Sequence, residues 1–552
     1  MLTYQLNPAK SESLYVQLYR FIRHDIAHGT IAPDERLPSR RALAAHLGVG
    51  AITVEAAYRQ LVAEGYVRAE ERRGYFANRL APAMWARREG SETPGATRQT
   101  VDGTVDGTQR AVGDTTGGAR RAGSDAEGAA AWAGSCAHVG NARPETADVP
   151  PHELLADFRA GSAATQLFPY GTWARVMRET LAEESAASLA DAARAPGSLR
   201  LRTAIAAHLR ESRGMTAGSA HIVVGAGAQT LYQLVIQLLG RSRTIAVEDP
   251  GYPRLAQIYR ANDVALAPVA LDAEGIAMDG LRASGASVAH LMPSHQFPTG
   301  IVTSAARRRD LLNWAREPYT IPTSDDAAES QRVGALEAAP GTPCDIAGRY
   351  LIEDDYDSDF RLAGHPIPPL FSIDAAERVI YLGSFANTLG AAFRFGYLVL
   401  PAPLSAAFAQ RLGFYSNTVS PIDQLALARF IEHGHYERHV NRLRAHVRAT
   451  QNELVRALRT SSIGDRLTFR GLDGGLHFAL EIASADEAQL TRNAWRKGIA
   501  LAPLSQYRIA KRTANATAAA RPHPASFVMN YSAIDRARIP EIVAALARAT
   551  TA

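Results

Sequence analysis

The sequence predicts two folded bodies of unequal size. The first is an N-terminal winged helix-turn-helix, helical with a small β wing, and the second a large C-terminal α/β domain. Three observations carry this reading. Residues 8–79 hold three short helical patterns and then two strand-like runs; residues 80–150 lose their apolar anchors; residues 151–552 alternate strand, glycine-bearing turn and helix. A chain of 552 residues, 46% hydrophobic and 21% charged, has ample core for two or three domains and an ordinary globular composition.

In residues 13–29, SLYVQLYRFIRHDIAHG, Leu14, Leu18, Phe21, Ile22 and Ile26 recur at helical spacing, with Gly29 as the stop. Ser39 can cap a second helix, RRALAAHLG, that ends at Gly48. The turn Gly48-Val49-Gly50 leads to a third helix, AITVEAAYRQLVAEG, expected to face Ile52, Val54, Ala57 and Leu61 inward. Two short helices across a glycine-containing turn form the helix-turn-helix pattern. The runs YVRAE and GYFAN, separated by Glu71-Arg72-Arg73, suggest a two-stranded wing. Residues 1–80 contain eleven Lys/Arg and eight Asp/Glu, a modestly basic balance.

The string LPSRRALAAHLGVGAITVEAAYRQLVAEGYV closely resembles the winged-helix domain of GntR-type repressors, usually LPSSRxLAxxLGVSRxTVxxAYxxLxxEGYV. The resemblance implies binding to a double-stranded DNA operator, the third helix entering the major groove by its N-terminal turn. It carries over to Arg41, Thr53 and Gly74. Arg59, Arg72 and Arg73 are added here as phosphate contacts from their charge. The family's Ser-Arg at the start of the reading helix is Gly50-Ala51, so a guanidinium contact is lost and an altered or weaker site preference is expected.

From about residue 80 to 150 the chain is rich in Gly, Thr, Asp and Arg, with a TVDG duplication at Thr100–Gly107. Such a segment is expected to be a disordered linker, with a typical span of roughly 40–50 Å. The stretches 318–348 and 509–526 read as polar surface insertions. Cys136 and Cys344 both fall in low-complexity sequence, so no disulfide framework or cysteine zinc site is suggested, and no metal site is expected. No run approaches membrane-span length and the first residues lack a signal peptide's apolar core, so a cytoplasmic location is expected. The formal net charge of +5 is too small to argue for nucleic acid by itself.

The large body is read from HIVVGAGAQTLYQLVIQLL, TIAVEDPGYPRLAQIYR, SVAHLMPSHQFPTG and YLIEDDYDSDF. Each sets a glycine- or carboxylate-bearing turn at the C-terminal end of a strand, where α/β sheets place their ligands. The run VIYLGSFANTLGAAFRFGYLVLP, Val379 to Pro401, has two buried-strand signatures around a Gly/Ser/Asn-rich crossing with one charge, Arg394.

That run looks like the cofactor segment of fold-type I pyridoxal phosphate (PLP) enzymes, G-[ST]-F-S-K-T-L-x-P-x-x-R-x-G-Y-L. The ordered motifs, with FPYGTWARVMR, PGSLRLRTAIAAHL and GLHFAL, resemble the aminotransferase-like domain of MocR-type regulators, in which a GntR head is fused to such a body. The resemblance implies a dimer that senses PLP or another small effector. It assigns Gly227, Ala228 and Gln229 to the cofactor phosphate, with Ser384 and Arg394 beside it. Tyr252 stacks on the pyridine ring, Asp354 (or Asp355, which spacing alone does not separate) holds the ring nitrogen, and Tyr356 bonds the ring hydroxyl. His295 and Gln296 lie in the SHQFPTG turn.

Several positions depart from the family. The Schiff-base lysine is Asn387, and the chain's three lysines, Lys10, Lys497 and Lys511, lie outside the motif. The aromatic expected near the phosphate is Ala192, the segment's proline is Ala391, and LGYA reads Met529-Asn530-Tyr531-Ser532. The expectation is a DNA-binding regulator that holds PLP non-covalently at most. The alternative, a PLP-dependent aminotransferase, needs an amine that Asn387 does not supply.

Overall fold

A computed structural model describes residues 4, 14–27, 31–32, 34–63, 66–70, 73–77, 154–159, 167–319, 346–360, 368–390, 392–510 and 524–551. The expected linker, most of the two polar insertions, Arg72, Lys10, Lys511, Ala391 and both cysteines lie outside these residues.

The head consists of helices α1 (Leu14–Ala27), α2 (Arg40–Leu47) and α3 (Ala51–Ala63), then strands β1 (Val67–Glu70) and β2 (Gly74–Ala77). Ser39 caps α2, its Oγ accepting from the Ala42 amide, and Gly48 closes it in the left-handed conformation that glycine adopts without a Cβ penalty. The wing is an antiparallel pair, Val67 opposite Ala77 and Glu70 opposite Gly74. Leu18, Ile22 and Ile26 of α1 meet Val54, Ala57, Tyr58 and Leu61 of α3 in one core.

Ile52 corrects the sequence reading: it is 83% exposed. The inward stripe of α3 runs through 54, 57, 58 and 61, and at 100° per residue position 52 falls about 200° from position 54. Phe21, one of the apolar residues at helical spacing in α1, is exposed.

The body is built on an eight-stranded sheet of order β4-β11-β10-β9-β8-β5-β6-β7. The strands are β4 (Ile222–Gly225), β5 (Ile245–Asp249), β6 (Leu266–Asp272), β7 (Gly275–Ile276), β8 (Val288–Leu291), β9 (Tyr350–Asp355), β10 (Val379–Ser384) and β11 (Gly396–Val399), with β3 (Ala156–Asp157) preceding them in a separate pair. The β6-β5-β8-β9-β10 pairings are parallel; β11 is antiparallel to both β10 and β4, and β7 turns back on β6. Strands β4, β5, β8, β9 and β11 are buried at every residue, which explains their continuous rather than alternating apolar character.

Helices cover both faces. Ala228–Leu239 and Pro253–Ala261 pack one core with the sheet, and Leu199–Arg213 and Pro421–Glu432 pack another. The 25-residue helix His435–Arg459 leads into a second lobe. There β12 (Leu467–Arg470), β13 (His477–Ile482), β15 (Ala502–Pro503) and β16 (Ala525–Asn530) form an antiparallel sheet of order β12-β13-β16-β15, while β14 (Ile499–Ala500) pairs with β3. No helix among the described residues is long and apolar enough to cross a membrane.

Candidate functional site

The site forms where strand ends converge. In the strand register Ser384 faces Gly396, and Gly396 faces Gly225, so three small residues lie in a row across β10, β11 and β4. Gly227 then turns the chain into helix Ala228–Leu239 at φ +82, a region that disfavours a side chain. A Cβ on Gly227 would come within 3.3 Å of Nη2 of Arg394. The first amides of that helix, on Ala228 and Gln229, therefore open beside an exposed guanidinium, an arrangement suited to an anion. Ser384 is half-buried and its Oγ accepts from the Ala386 amide, which starts the short helix Ala386–Leu389.

β9 presents Glu353, Asp354 and Asp355 in succession, and the pleat sends them to alternate faces. Asp355 makes an ion pair with Arg213 and accepts from the Tyr381 hydroxyl at 2.7 Å. Asp354, 2% exposed, points the other way: its Oδ2 accepts from Tyr232 at 2.5 Å and lies 3.4 Å from His290 Nε2. Its Oδ1, like that of Asp355, is buried with no hydrogen-bond partner among the described residues. Spacing left these two carboxylates open as candidates; Asp354 is the one whose charge acts on both the Tyr252 and the Tyr356 phenol.

Tyr252 is half-buried at the start of helix Pro253–Ala261, its ring edge-on to Phe297 at 5.9 Å. Burial raises its phenol pKa, with Asp354 and Arg394 among the charges that act on it. Burial likewise drives the Tyr356 phenol well above its ordinary range, helped by Asp357 and Asp354. The Tyr356 hydroxyl donates to the His295 carbonyl at 3.1 Å. Asn387, half-buried on the short helix, donates from Nδ2 to the Tyr356 carbonyl at 3.0 Å, so the amide is committed to the backbone.

Gln296 is a positioning residue of the SHQFPTG turn. Its amide donates to the Pro250 and Phe297 carbonyls and accepts from Thr299, joining this turn to the Asp-Pro-Gly-Tyr turn. Ala192 is buried at the end of helix Ala186–Ala192, where Gln424 donates to its carbonyl. Tyr531 donates to the Gly475 carbonyl within the second lobe, and Lys497 ends helix Glu487–Arg496 there. Tyr232, His290 and Glu248 were not singled out from sequence. Burial pushes the Glu248 carboxyl up to about 8, and it accepts from the Met292 amide.

In the head, Arg41, Arg59 and Arg73 are exposed and Thr53 is half-buried in the first turn of α3. Arg59 pairs with Glu55 at 3.1 Å and Arg73 with Glu70 at 2.6 Å, so both already have acidic partners. Gly74 starts β2 at φ +111, with Arg36 where a Cβ would point.

A winged helix-turn-helix on one chain with an aminotransferase-type sheet defines a class of fused regulators, and the comparisons agree. Residues 14–76 match the family model for bacterial regulatory proteins of the gntR family, and residues 165–546 match that for class I and II aminotransferases. An uncharacterized HTH-type transcriptional regulator of Bacillus subtilis, YhdI, is 30% identical over 501 residues, 91% of this chain and 90% of the relative. The pyridoxine biosynthesis regulator PdxR of Corynebacterium glutamicum is 28% identical over 91% of this chain and 90% of its own length, and the probable rhizopine catabolism regulator MocR of Rhizobium meliloti 27% over 89% and 87%. A multiple substrate aminotransferase from Thermococcus profundus shares the fold, with a TM-score of 0.56 and 21% identity over 72% of this chain and 91% of that one. The chain belongs to the MocR-type branch of the gntR-family transcriptional regulators, with an aminotransferase class I/II domain as its body.

Proposed function

We propose that this protein is a sequence-specific DNA-binding regulator whose body dimerises and senses PLP, or a closely related pyridine phosphate, without a covalent bond. One observation carries the reading: the pocket keeps an acceptor for a ring nitrogen and an anion cradle, while the anchoring position holds an amide already bonded to backbone. Asp354 Oδ1 is a buried carboxylate oxygen with no partner among the described residues, as a protonated ring nitrogen requires. Arg394, Ser384 and the helix start at Gly227, Ala228 and Gln229 would hold the phosphate; Tyr252 would lie against the ring, and Tyr356 would meet its hydroxyl.

When bound, PLP supplies an electron-withdrawing ring. Turning this into transamination requires an amine that anchors the cofactor and moves a proton. An amide is no base at neutral pH, so the body is proposed to be catalytically inactive. Dimerisation is supported by Phe414 and Tyr415, exposed neighbouring rings 4.4 Å apart. A two-fold dimer would place two heads on paired half-sites. In the head, Arg41, Thr53 and the wing at Gly74 are the proposed contacts, with Arg59 and Arg73 exchanging their acidic partners for phosphates.

Titration of the purified protein with PLP, followed by borohydride reduction and mass spectrometry, tests the pocket. Saturable binding without a retained adduct is expected, and Asn387→Lys should gain the adduct. An adduct on the wild-type chain would overturn the reading. For the head, duplexes selected by the full-length protein should be bound about 5- to 150-fold more tightly by Ala51→Arg, the range set by one restored specific contact of about 1–3 kcal/mol. Unchanged affinity would remove residue 51 from the interface.

A further inference from the structure

We infer that His295, Asp357 and His477 form a buried site for a divalent transition metal, with Zn2+ the best match to the donor set. The three residues are 5%, 3% and 2% exposed and come from three separate segments: the turn after β8, the turn after β9, and the first residue of β13. One ligand atom from each lies within 4.8 Å of the others. His295 Nδ1 is 2.8 Å from Asp357 Oδ2, and the two imidazole centroids are 4.5 Å apart.

An ordinary His–Asp hydrogen bond accounts for one pair of atoms only. His295 Nε2 and His477 Nε2 are both buried with no hydrogen-bond partner among the described residues. Two adjacent buried rings, each with an unpaired nitrogen, are unfavourable in a core, and an ion that takes one nitrogen from each ring and one oxygen from Asp357 relieves this in part. Two imidazoles and one carboxylate select zinc-like ions, since Ca2+ and Mg2+ prefer all-oxygen shells.

Tetrahedral coordination at about 2.0–2.2 Å spaces donors about 3.3–3.5 Å apart, so the wider separations close by about 1 Å, within reach of imidazole rotation. The backbone leaves room for the rings. A Cβ on Gly475, at φ +74, would come within 2.1 Å of His295 Cε1 and 2.6 Å of Asp357 Oδ2, and one on Gly300 within 3.4 Å of His295 Nε2. Two of the ligands belong to the large sheet's connections and the third to the second lobe, so the ion would tie the lobes together. This inference does not depend on the proposed effector.

The test uses full-length protein stripped with a chelator and titrated with Zn2+ against a chromophoric competitor, and separately loaded with Co2+ for visible spectroscopy. One ion per chain is expected, with affinity at least about a hundredfold lower in His477→Gln and Asp357→Asn, and unchanged in the surface control His433→Gln. Thermal unfolding of the metal-free proteins shows whether each variant folds. If one does not, the Co2+ spectrum of the wild type decides: low-coordinate bands with nitrogen ligation support the site, and an all-oxygen octahedral spectrum overturns it. Absence of uptake by the wild type, or equal affinity in folded variants, also overturns it.

Discussion

Asp354 and Asp355 are adjacent on one strand, yet their surroundings differ. On the Asp355 face, arginines meet the carboxylates: Arg213 pairs with Asp355, and Arg308 lies 3.6 Å from Glu353. On the Asp354 face the partners are a phenol and an imidazole, and each of the two aspartates leaves its Oδ1 without a partner among the described residues. Asp355 is closed on one side by an opposite charge, whereas no arginine among the described residues pairs with Asp354. The pleat of β9 separates the two surroundings over a single residue.

The largest test of this contrast is Asp355→Ala. It strands Arg213 in the core, and a loss of about 3–5 kcal/mol is expected in urea unfolding. A loss below about 1 kcal/mol would mean that Arg213 finds another partner.

Glu248 sharpens the same contrast through pH. It lies close enough to Asp354 to feel its charge, has no arginine partner among the described residues, and burial raises its pKa from 4.5 to about 8. The folded state therefore keeps a proton that the unfolded chain releases above about 4.5. This contribution is full below that pH and is lost as pH rises through about 8. At about 1.4 kcal/mol for each pH unit between 4.5 and about 8, it amounts to something on the order of 5 kcal/mol. Glu248→Gln should flatten stability between pH 5 and 8, and an unchanged slope would assign it to other groups.

Asp354→Ala is expected to cost about 1–3 kcal/mol of stability, less than its neighbour, while abolishing PLP binding measured by fluorescence. Retained binding would remove Asp354 from the pocket. Tyr381→Phe is the smallest change: about 1 kcal/mol for the lost hydrogen bond to Asp355, with ligand affinity unaltered.

The elements of both bodies were legible because their signals are local. Ser39 and Gly48 punctuate α2, and the apolar runs at 379–384 and 396–399 are strands of the large sheet. The choice between Asp354 and Asp355 was not legible, since alternation tells that two residues face apart but not which face meets helix Ala228–Leu239. Tyr232 lies 122 residues from Asp354, and His295 lies 62 from Asp357; no periodicity in sequence encodes such pairings. Ile52 was misplaced for a different reason. An apolar residue at a helix start looks like core, although its angular position places it off the buried stripe.

The hydrogen bond from Asn387 to the Tyr356 carbonyl has a mechanical meaning. It is a crosspiece between the exits of β9 and β10, present before any ligand arrives. A flexible lysine at this position would have to be ordered when a ligand enters. The amide is ordered already, so less of the binding free energy goes into arranging the pocket walls. In the proposed non-covalent mode, a ligand would meet a preorganised pocket and leave it without a bond being broken.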